Sequence, residues 1–157
     1  QQQTMDLAKD LRNLSHELHP GALEHIGLLE ALRSRCVEAT IEANADIHLA
    51  VADGWVEVTD DIKLCLYRVA QEALRNIERH AHAKTARIFI ARQNSQVLMT
   101  ISDDGAGFDT SGAARHQGIG LSSMGERVRM LGGSFEVHSI AGSGTTVSIR
   151  LPTGERP

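Results

Sequence analysis

Apolar residues recur at intervals of three and four along residues 60–81, DDIKLCLYRVAQEALRNIERHA, at positions Ile62, Leu66, Val69, Ala70, Ala73, Leu74, Ile77 and Ala81. This spacing places them on one side of an α-helix. Either Thr59 or Asp60 can serve as the N-cap, because a short oxygen-bearing side chain there accepts a hydrogen bond from the first turn. The pattern therefore predicts an amphipathic helix over the whole segment.

Three polar residues of this helix lie at the margin of its apolar side. Glu72, Asn76 and His80 are spaced four apart, so they form one column that drifts onto the edge of the apolar stripe. Taken alone, such residues are typical of a core boundary, where local hydrogen bonds satisfy them. Only motifs elsewhere in the chain can favour a functional role for these three residues over that of a core boundary.

The N-terminal residues carry a leucine repeat typical of a helical bundle, formed by Leu7, Leu11, Leu14 and Leu18. Fewer than three heptads do not hold a coiled coil alone, so the repeat predicts the end of a longer helix, stopped by Pro20 and Gly21. A second helix is predicted over residues 23–43. Because the chain begins with Gln1 rather than Met, we expect a fragment of a longer protein.

The pattern changes to β-rich runs after residue 43. Strands are predicted at residues 46–52, 86–92, 97–102, 134–140 and 145–151, with a hairpin turn at 93–95, and a further helix opens at residues 118–121 and ends at 132–133. The order is helix, helix, strand, helix, hairpin, loop, helix, hairpin. This order predicts an α+β fold, a two-layer α/β sandwich whose mixed, mostly antiparallel sheet is covered by helices on one face.

Composition limits the functions to consider. The 157 residues are 41% hydrophobic and carry a net charge of −4, so we expect one globular domain with a short appendage and no surface for nucleic acid. No apolar run approaches the roughly 20 residues that cross a bilayer, so no membrane contact is expected. Cys36 and Cys65 lack a metal or redox spacing, which predicts buried free thiols in a reducing compartment.

Glycines cluster at three places where the backbone can approach a ligand closely. Asp103, Gly105 and Gly107 follow a predicted strand, Gly118 and Gly120 precede a helix, and Gly142 and Gly144 with Thr145 precede the last strand. Each cluster alone is weak evidence, because glycines before a helix are often only a tight turn. Neither a Walker loop nor a Rossmann fingerprint fits the spacing. Residues 110–117 are small and polar, which predicts a mobile loop.

In this order, the motifs resemble the ATP-binding domain of sensor histidine kinases, within the GHKL group (Bergerat fold) that includes gyrase, Hsp90 and MutL. The resemblance covers residues 46–152. Glu72, Asn76, Arg79, His80 and Ala81 resemble the N box, Asp103, Gly105 and Gly107 the G1 box, Gly118, Gly120 and Leu121 the G2 box, and Gly142, Gly144 and Thr145 the terminal Gly-Thr element. Residues 67–74 and 125–128 are similar to the subgroup that signals to response regulators of the NarL/LuxR type.

The resemblance implies a role for each polar residue at the adenine end of an ATP site. Asp103 would accept a hydrogen bond from the adenine amino group, and Thr145 would support it or a bridging water. Gly105 and Gly107 would let the backbone pass close to the base. Guanine, which carries a carbonyl instead of this amino group, would be rejected.

At the phosphate end, the resemblance implies that the amide oxygen of Asn76 holds Mg²⁺. Glu72 would orient or deprotonate the incoming histidine imidazole, and Arg79 and His80 would face the phosphates. Gly118 and Gly120, with Arg115 and His116 in the loop before them, would close over the triphosphate as a lid. Ile119 and Leu121 would also contact the nucleotide.

The resemblance also divides the chain. Residues 1–20 are similar to the end of the second helix of a dimerisation domain, and residues 21–157 to the catalytic ATP-binding domain. The phosphoacceptor is expected upstream in a His-Asp pair that this chain lacks, and not at His16. The remaining histidines are scattered and show no zinc-protease spacing, so no metal site of that kind is expected.

The implied function is transfer of the γ-phosphoryl group of ATP to a histidine, for relay to a response-regulator aspartate. The full-length protein is expected to be a homodimer, with this domain in the cytoplasm. The alternative is a GHKL regulatory module, such as an anti-sigma-factor serine kinase or a degenerate domain. Intact Glu72, Asn76 and Asp103 argue against degeneracy, and the leucine repeat argues against the anti-sigma type.

Overall fold

A computed structural model describes residues 20–110 and 118–154. Within them, five strands form one sheet, and helices pack against one of its faces. The elements are α1 (Pro20–Ile26), α2 (Leu28–Ala43), β1 (Asp46–Val51), α3 (Asp60–Asn76) with a π-helical turn (Ile77–Ala81), β2 (Thr85–Gln93), β3 (Gln96–Asp103), α4 (Ile119–Met130), β4 (Ser134–Ser139) and β5 (Thr145–Pro152). The predicted two-layer α+β fold is confirmed.

The topology brings the ends of α3 and β3 and the starts of β2 and β5 to the same side of the sheet. The strand order is β1-β2-β3-β5-β4, with β1 and β2 parallel and the other pairs antiparallel. A parallel pair needs a crossover, and α3 provides it by running back over the sheet. The end of α3 therefore returns to the edge where β2 begins. Asp103, the last residue of β3, pairs there with Ala86 on one side and with Thr145, the first residue of β5, on the other.

The core lies between the sheet and the helices. Alternate residues of each central strand point into it, as the period-two pattern predicts. Its largest fully buried side chains include Leu66 and Leu74 of α3, Ile88 and Ile90 of β2, Met99 of β3, and Ile149 and Leu151 of β5. Burying each contributes about 1.5–3 kcal/mol. This core fixes the sheet edge at which the polar residues meet.

The predicted helix over residues 23–43 is wrong in its first part. Gly27 has φ +78, in the left-handed region that glycine adopts without strain, and it separates α1 from α2. Pro20 is the first residue of α1, a position that suits proline because it lacks an N–H and its fixed φ fits the first turn. Two helices therefore replace one. The helix predicted to end at Pro20 and Gly21 lies outside the described residues.

The single α-helix predicted over residues 60–81 is wrong in its last five residues. The α-helix ends at Asn76, and Ile77–Ala81 form a π-helical turn that His82 ends with φ +50. Hydrogen bonds of a π turn span five residues instead of four, so side chains beyond Asn76 are rotated away from their α-helical positions.

Both cysteines are free and buried, as predicted. Burial raises the pKa of each thiol, Cys36 and Cys65, to about 11. Across residues 20–110 and 118–154, the structure holds no helix of the length and apolarity that a membrane span requires. The leucine repeat, His16, Arg115 and His116 lie outside the described residues.

Candidate functional site

A cavity of about 540 Å³ opens at the sheet edge where α3 and β3 end. Its walls contain eight of the predicted site residues: Asn76, His80, Asp103, Gly107, Gly118, Gly120, Leu121 and Thr145. Apolar walls are added by Ala73, Ile77, Ile101, Phe108 and Val147. A concave, mostly apolar space with a few converging polar groups is the usual form of a small-molecule site.

Asp103 presents a partly desolvated carboxylate to this cavity. Its Oδ1 accepts a hydrogen bond from the backbone N–H of Gly105 at 2.8 Å. Burial raises the pKa of Asp103, and hydrogen bonds from the backbone of Gly105 and Thr145 oppose the rise. These N–H groups fix the direction of the carboxylate, which leaves a preorganised acceptor for a donor on a ligand.

Asp104, the next residue, serves the fold instead. Its Oδ1 accepts hydrogen bonds from the backbone N–H groups of Lys84 and Thr85 at 2.8 and 2.9 Å, and its Oδ2 accepts one from the Thr85 hydroxyl at 3.0 Å. The bond from the Thr85 backbone is the main reason that the pKa of Asp104 is lowered. Sequence reasoning missed this role, although the Asp-Asp pair was a visible signal.

The glycines after β3 permit close backbone contacts. A Cβ at Gly105 would overlap the carbonyl oxygen of Ala81, and the neighbouring N–H of Ala106 donates to that same oxygen at 2.6 Å. Gly107, with φ +59, lies against the carbonyl oxygen of Ile140, where a Cβ would also overlap. Gly107 lines the cavity, whereas Gly105 lies against Ala81 at the end of the π turn.

Ser139 connects the β4–β5 hairpin to the cavity wall. Its buried hydroxyl accepts a hydrogen bond from the N–H of Phe108 at 2.9 Å, lies 3.1 Å from the carbonyl oxygen of Gly144 as a donor, and lies 2.8 Å from the hydroxyl of Thr145. Ser139 was not predicted. The available signal was a polar residue at an inward position of β4, in register with Phe135 and Val137.

The opposite end of the cavity is formed by the end of α3 and the start of α4. Asn76 and His80 line it, while Arg79 is exposed and does not. Glu72 lies just beyond the wall: its carboxylate pairs with Arg75 at 3.0 Å, and a Cβ at Gly120 would overlap it. The structure therefore brings Asn76 and His80 into the cavity, with Glu72 beside it.

The donor set at this end fits a magnesium ion carried by phosphates. In the described ranges, no cluster of three or more histidine, cysteine, aspartate or glutamate side chains is arranged to hold a metal. Asn76 lines the cavity, and its side chain carries one amide oxygen. Mg²⁺ prefers oxygen ligands, keeps several waters and is often held by one or two protein groups plus phosphate oxygens.

Gly118 and Gly120 bring the start of α4 to the cavity. Gly118 is the N-cap, and its carbonyl oxygen accepts the N–H of Leu121 at 3.1 Å. The N–H groups of a first helical turn are favourable for phosphate. Ile119 is the first residue of this helix.

Comparison with known proteins identifies a family. The histidine kinase-, DNA gyrase B- and HSP90-like ATPase family matches residues 60–155. The sensor histidine kinase MctS of Rhizobium johnstonii is 34% identical over 152 residues, covering 95% of this chain and 33% of the relative. The oxygen sensor histidine kinase NreB of Staphylococcus carnosus is 31% identical over 148 residues, covering 93% of this chain and 42% of the relative. The chain thus spans less than half the length of these curated relatives.

Solved structures agree on the fold. Histidine kinase AdeS of Acinetobacter baumannii has a TM-score of 0.68 at 16% identity, covering 98% of this chain and 84% of that chain. The histidine kinase domain of the blue-light activated kinase from Erythrobacter litoralis EL346 has a TM-score of 0.61 at 22% identity, covering 78% and 59%. Together with the family match, these findings confirm the predicted resemblance to sensor histidine kinases.

Proposed function

The chain belongs to the histidine kinase-, DNA gyrase B- and HSP90-like ATPase family, and on that premise we propose that it is the catalytic ATP-binding domain of a sensor histidine kinase. The domain binds Mg-ATP and transfers the γ-phosphoryl group to a histidine, for relay to an aspartate of a response regulator. The observation that carries the proposal is one cavity with a partly buried carboxylate at one end, and an amide and a helix N-terminus at the other.

Adenine binds between the apolar walls with its amino group towards Asp103. An ionised carboxylate accepts this donor, and guanine would place a carbonyl there, leaving two acceptors facing each other. Thr145 lies beside Asp103, and its hydroxyl is held by Ser139. Selectivity for adenine therefore rests on an acceptor that is aligned before the base arrives.

The phosphates extend towards Asn76, His80 and the start of α4. Asn76 would contribute an oxygen to Mg²⁺, which when bound supplies positive charge that offsets the phosphate oxygens. The N–H groups at the start of α4 add a partial positive charge. Because these groups are fixed by the fold, the protein contributes positioning and charge neutralisation rather than covalent chemistry.

Glu72 lies on α3 one turn before Asn76, beside the start of α4. In this position it would orient the imidazole of an incoming histidine or accept its proton. We expect Glu72→Gln to slow phosphotransfer by about 10²-fold while ATP affinity stays nearly unchanged, because an amide keeps the shape but is not a base. Single-turnover transfer in a protein that also carries the phosphoacceptor gives the rate. An equal loss of affinity would show instead that Glu72 serves binding.

The relatives favour a kinase over an anti-sigma-factor module, since MctS and NreB are both named sensor histidine kinases. We further propose a response-regulator partner of the NarL/LuxR type, homodimerisation of the full-length kinase and a cytoplasmic location. Residues 1–20 would end the dimerisation helix, and residues 21–157 would form the catalytic domain.

Titration calorimetry with Mg-ATP and Mg-GTP tests the nucleotide proposal directly. The chain should bind Mg-ATP and discriminate against Mg-GTP by at least tenfold, as expected when a mispaired acceptor is buried. Asp103→Asn is the matched variant, because it retains shape and loses the charge. Equal affinity for both nucleotides would remove Asp103 from the adenine contact, and no binding of either would reject the proposed function.

A further inference from the structure

An ion pair outside the cavity joins the π turn to α2. Oε1 of Glu78 lies 2.7 Å from a guanidinium nitrogen of Arg35, and the two side chains are only 16% and 12% exposed. Charges this well shielded from water interact more strongly than surface charges, and removing one leaves the other buried without compensation. The pair is therefore an ionic link between α2 and the π turn, and Oε1 of Glu78 has no hydrogen-bond partner among the described residues.

The surroundings of Arg35 make it the centre of a charged cluster between α2 and α3. A carboxylate oxygen of Glu38, one turn along α2, lies 4.0 Å from the guanidinium. Tyr67 of α3 is also near enough for the charges of Glu38 and Arg35 to act on its pKa in opposite directions, while burial raises it. Arg35 thus connects α2 to both α3 and the π turn that follows it.

The π turn is held on its other side by backbone. The carbonyl oxygen of Ala81 accepts the N–H of Ala106 at 2.6 Å, in the loop that begins at Asp103. Glu78 is therefore the α2 anchor of the turn, and Ala81 is its anchor to the cavity wall. Asn76 and His80, which flank Glu78 in sequence, line the cavity.

We propose that Arg35 is a positioning residue for the magnesium and phosphate end of the site. By holding Glu78, it keeps residues 77–81 in the π turn that sets the positions of Asn76 and His80. The proposal rests on the proposed function, because it concerns how this chain holds Mg-ATP. Arg35 itself is absent from the cavity wall and acts through Glu78.

The physical reason is that a π turn is a rare conformation that persists where tertiary contacts favour it. Without the ionic anchor, residues 77–81 are free to relax towards ordinary α-helical hydrogen bonding. That change rotates His80 and shifts the end of the helix that carries Asn76. Asp103 belongs to β3 rather than to the π turn, so adenine binding should change little.

Calorimetric titration of ATP in the presence of Mg²⁺ and in EDTA tests this division. The dissociation constant in EDTA divided by the dissociation constant with Mg²⁺ measures how much magnesium strengthens ATP binding. Arg35→Met and the double variant Arg35→Met/Glu78→Gln should lower this ratio about fivefold, while affinity in EDTA stays within about twofold. The double variant leaves no buried charge unpaired, so it keeps the experiment informative if Arg35→Met alone fails to fold.

Two control variants sharpen the test. Arg35→Lys retains a cation and should recover most of the magnesium gain. Arg33→Met removes the exposed Arg33–Glu30 pair of the same helix, which has a distance of 2.6 Å, and should leave the ratio unchanged.

The outcomes separate the two proposals. If the unaltered chain binds no ATP, the proposed function fails. If it binds ATP and the double variant keeps the wild-type magnesium gain, or loses affinity equally with and without magnesium, Arg35 has only a structural role and the inference is overturned.

Discussion

At one end of the cavity, the loop after β3 is bonded to the π turn through Ala81 and Ala106, and to the β4–β5 hairpin through Ala106 and Gly142, each at 2.6 Å. At the other end, within the described part of the chain, the backbone hydrogen bonds of Gly118 and Leu121 stay inside the first turn of α4. The adenine end is therefore cross-linked before ligand arrives. The phosphate end depends on side chains and on what the ligand itself supplies.

This difference indicates which residues can be changed to affect ligand binding without affecting the stability of the fold. At the end proposed for adenine, backbone bonds hold three segments together beside the Asp103 carboxylate, so we expect changes to those backbone contacts to affect stability and changes to the carboxylate to affect binding. At the phosphate end, we expect changes to affect binding and catalysis with little effect on stability. Substitutions at matched positions test this separation.

The largest effect is expected at the hairpin glycines. Gly144 has φ +84, and a Cβ there would overlap the carbonyl oxygen of Asp103, whereas Gly142 has φ +82 and no atom within 4 Å of its Cβ position. Gly144→Ala should lower the free energy of unfolding by more than about 3 kcal/mol, and Gly142→Ala by about 1 kcal/mol from backbone strain alone. Urea unfolding measures both. Similar losses would show that backbone strain dominates over the contact.

Adjacent aspartates should respond in opposite ways. Asp103→Asn should weaken ATP binding by more than about tenfold, or roughly 1.4 kcal/mol, without lowering stability, because the ionised carboxylate is partly buried. Asp104→Asn should lower the thermal midpoint and leave ATP affinity intact, because it removes the charge that strengthens the bonds from the backbone of residues 84 and 85 and removes the Oδ2 acceptor of the Thr85 hydroxyl. Calorimetric titration and thermal melts of both variants decide, and loss of ATP affinity in Asp104→Asn would contradict the separation.

Acidification should change the contributions of Asp103 and Asp104 to stability in opposite directions. The pKa of Asp103 is raised on folding, so its contribution to stability is present at low pH and is lost as the pH rises through the folded pKa. The pKa of Asp104 is lowered, so its contribution is present above the unfolded pKa and is lost as the pH falls through the folded pKa.

On the proposed role of Asp103 as the ionised acceptor of the adenine amino group, ATP affinity should begin to fall on acidification at a pH above the usual aspartate range. Titrations across pH of the wild type and of Asp103→Asn isolate this group, because the phosphates titrate in both. Parallel curves would exclude Asp103 as the titrating acceptor.

The smallest effect is expected at the start of α4. A Cβ at Gly120 would overlap the Glu72 carboxylate, which is the end of a flexible side chain, whereas no atom lies within 4 Å of the Cβ position of Gly118. Gly120→Ala should shift Glu72 and slow phosphotransfer several-fold, with ATP affinity changed by less than about threefold. Gly118→Ala is the control and should behave as wild type. Equal effects of the two would argue that Gly120 acts through helix capping alone.

Much of this arrangement could be predicted from the sequence, because local chemistry determines it. Period-two alternation placed the strands, and the hairpin at residues 93–95 was expected from its turn residues. Asp103 was expected at a strand end beside glycines, where a carboxylate and a close backbone contact occur together. These features depend on neighbours along the chain.

The parts that were not predicted depend on contacts between distant segments. The π turn has no signature in a 3.6-residue pattern, since Glu78 meets Arg35 and Ala81 meets Ala106 only in the folded chain. Ser139 looked like an ordinary strand residue until the fold brought it to Thr145. The roles of the individual site residues remain predictions for the variants described above.

Burial of the two thiols determines how the domain responds to electrophiles. With pKa values of about 11, Cys36 and Cys65 are thiolates in roughly one molecule in ten thousand at neutral pH, so oxidants and alkylating dyes react with them slowly. A cysteine introduced at exposed Ser143, in the turn beside the adenine wall, would carry a reactive thiolate in roughly three molecules in a hundred. Site-specific labelling there needs no removal of the native residues, and a fluorophore at that turn would test whether the cross-linked hairpin stays in place as ligand enters.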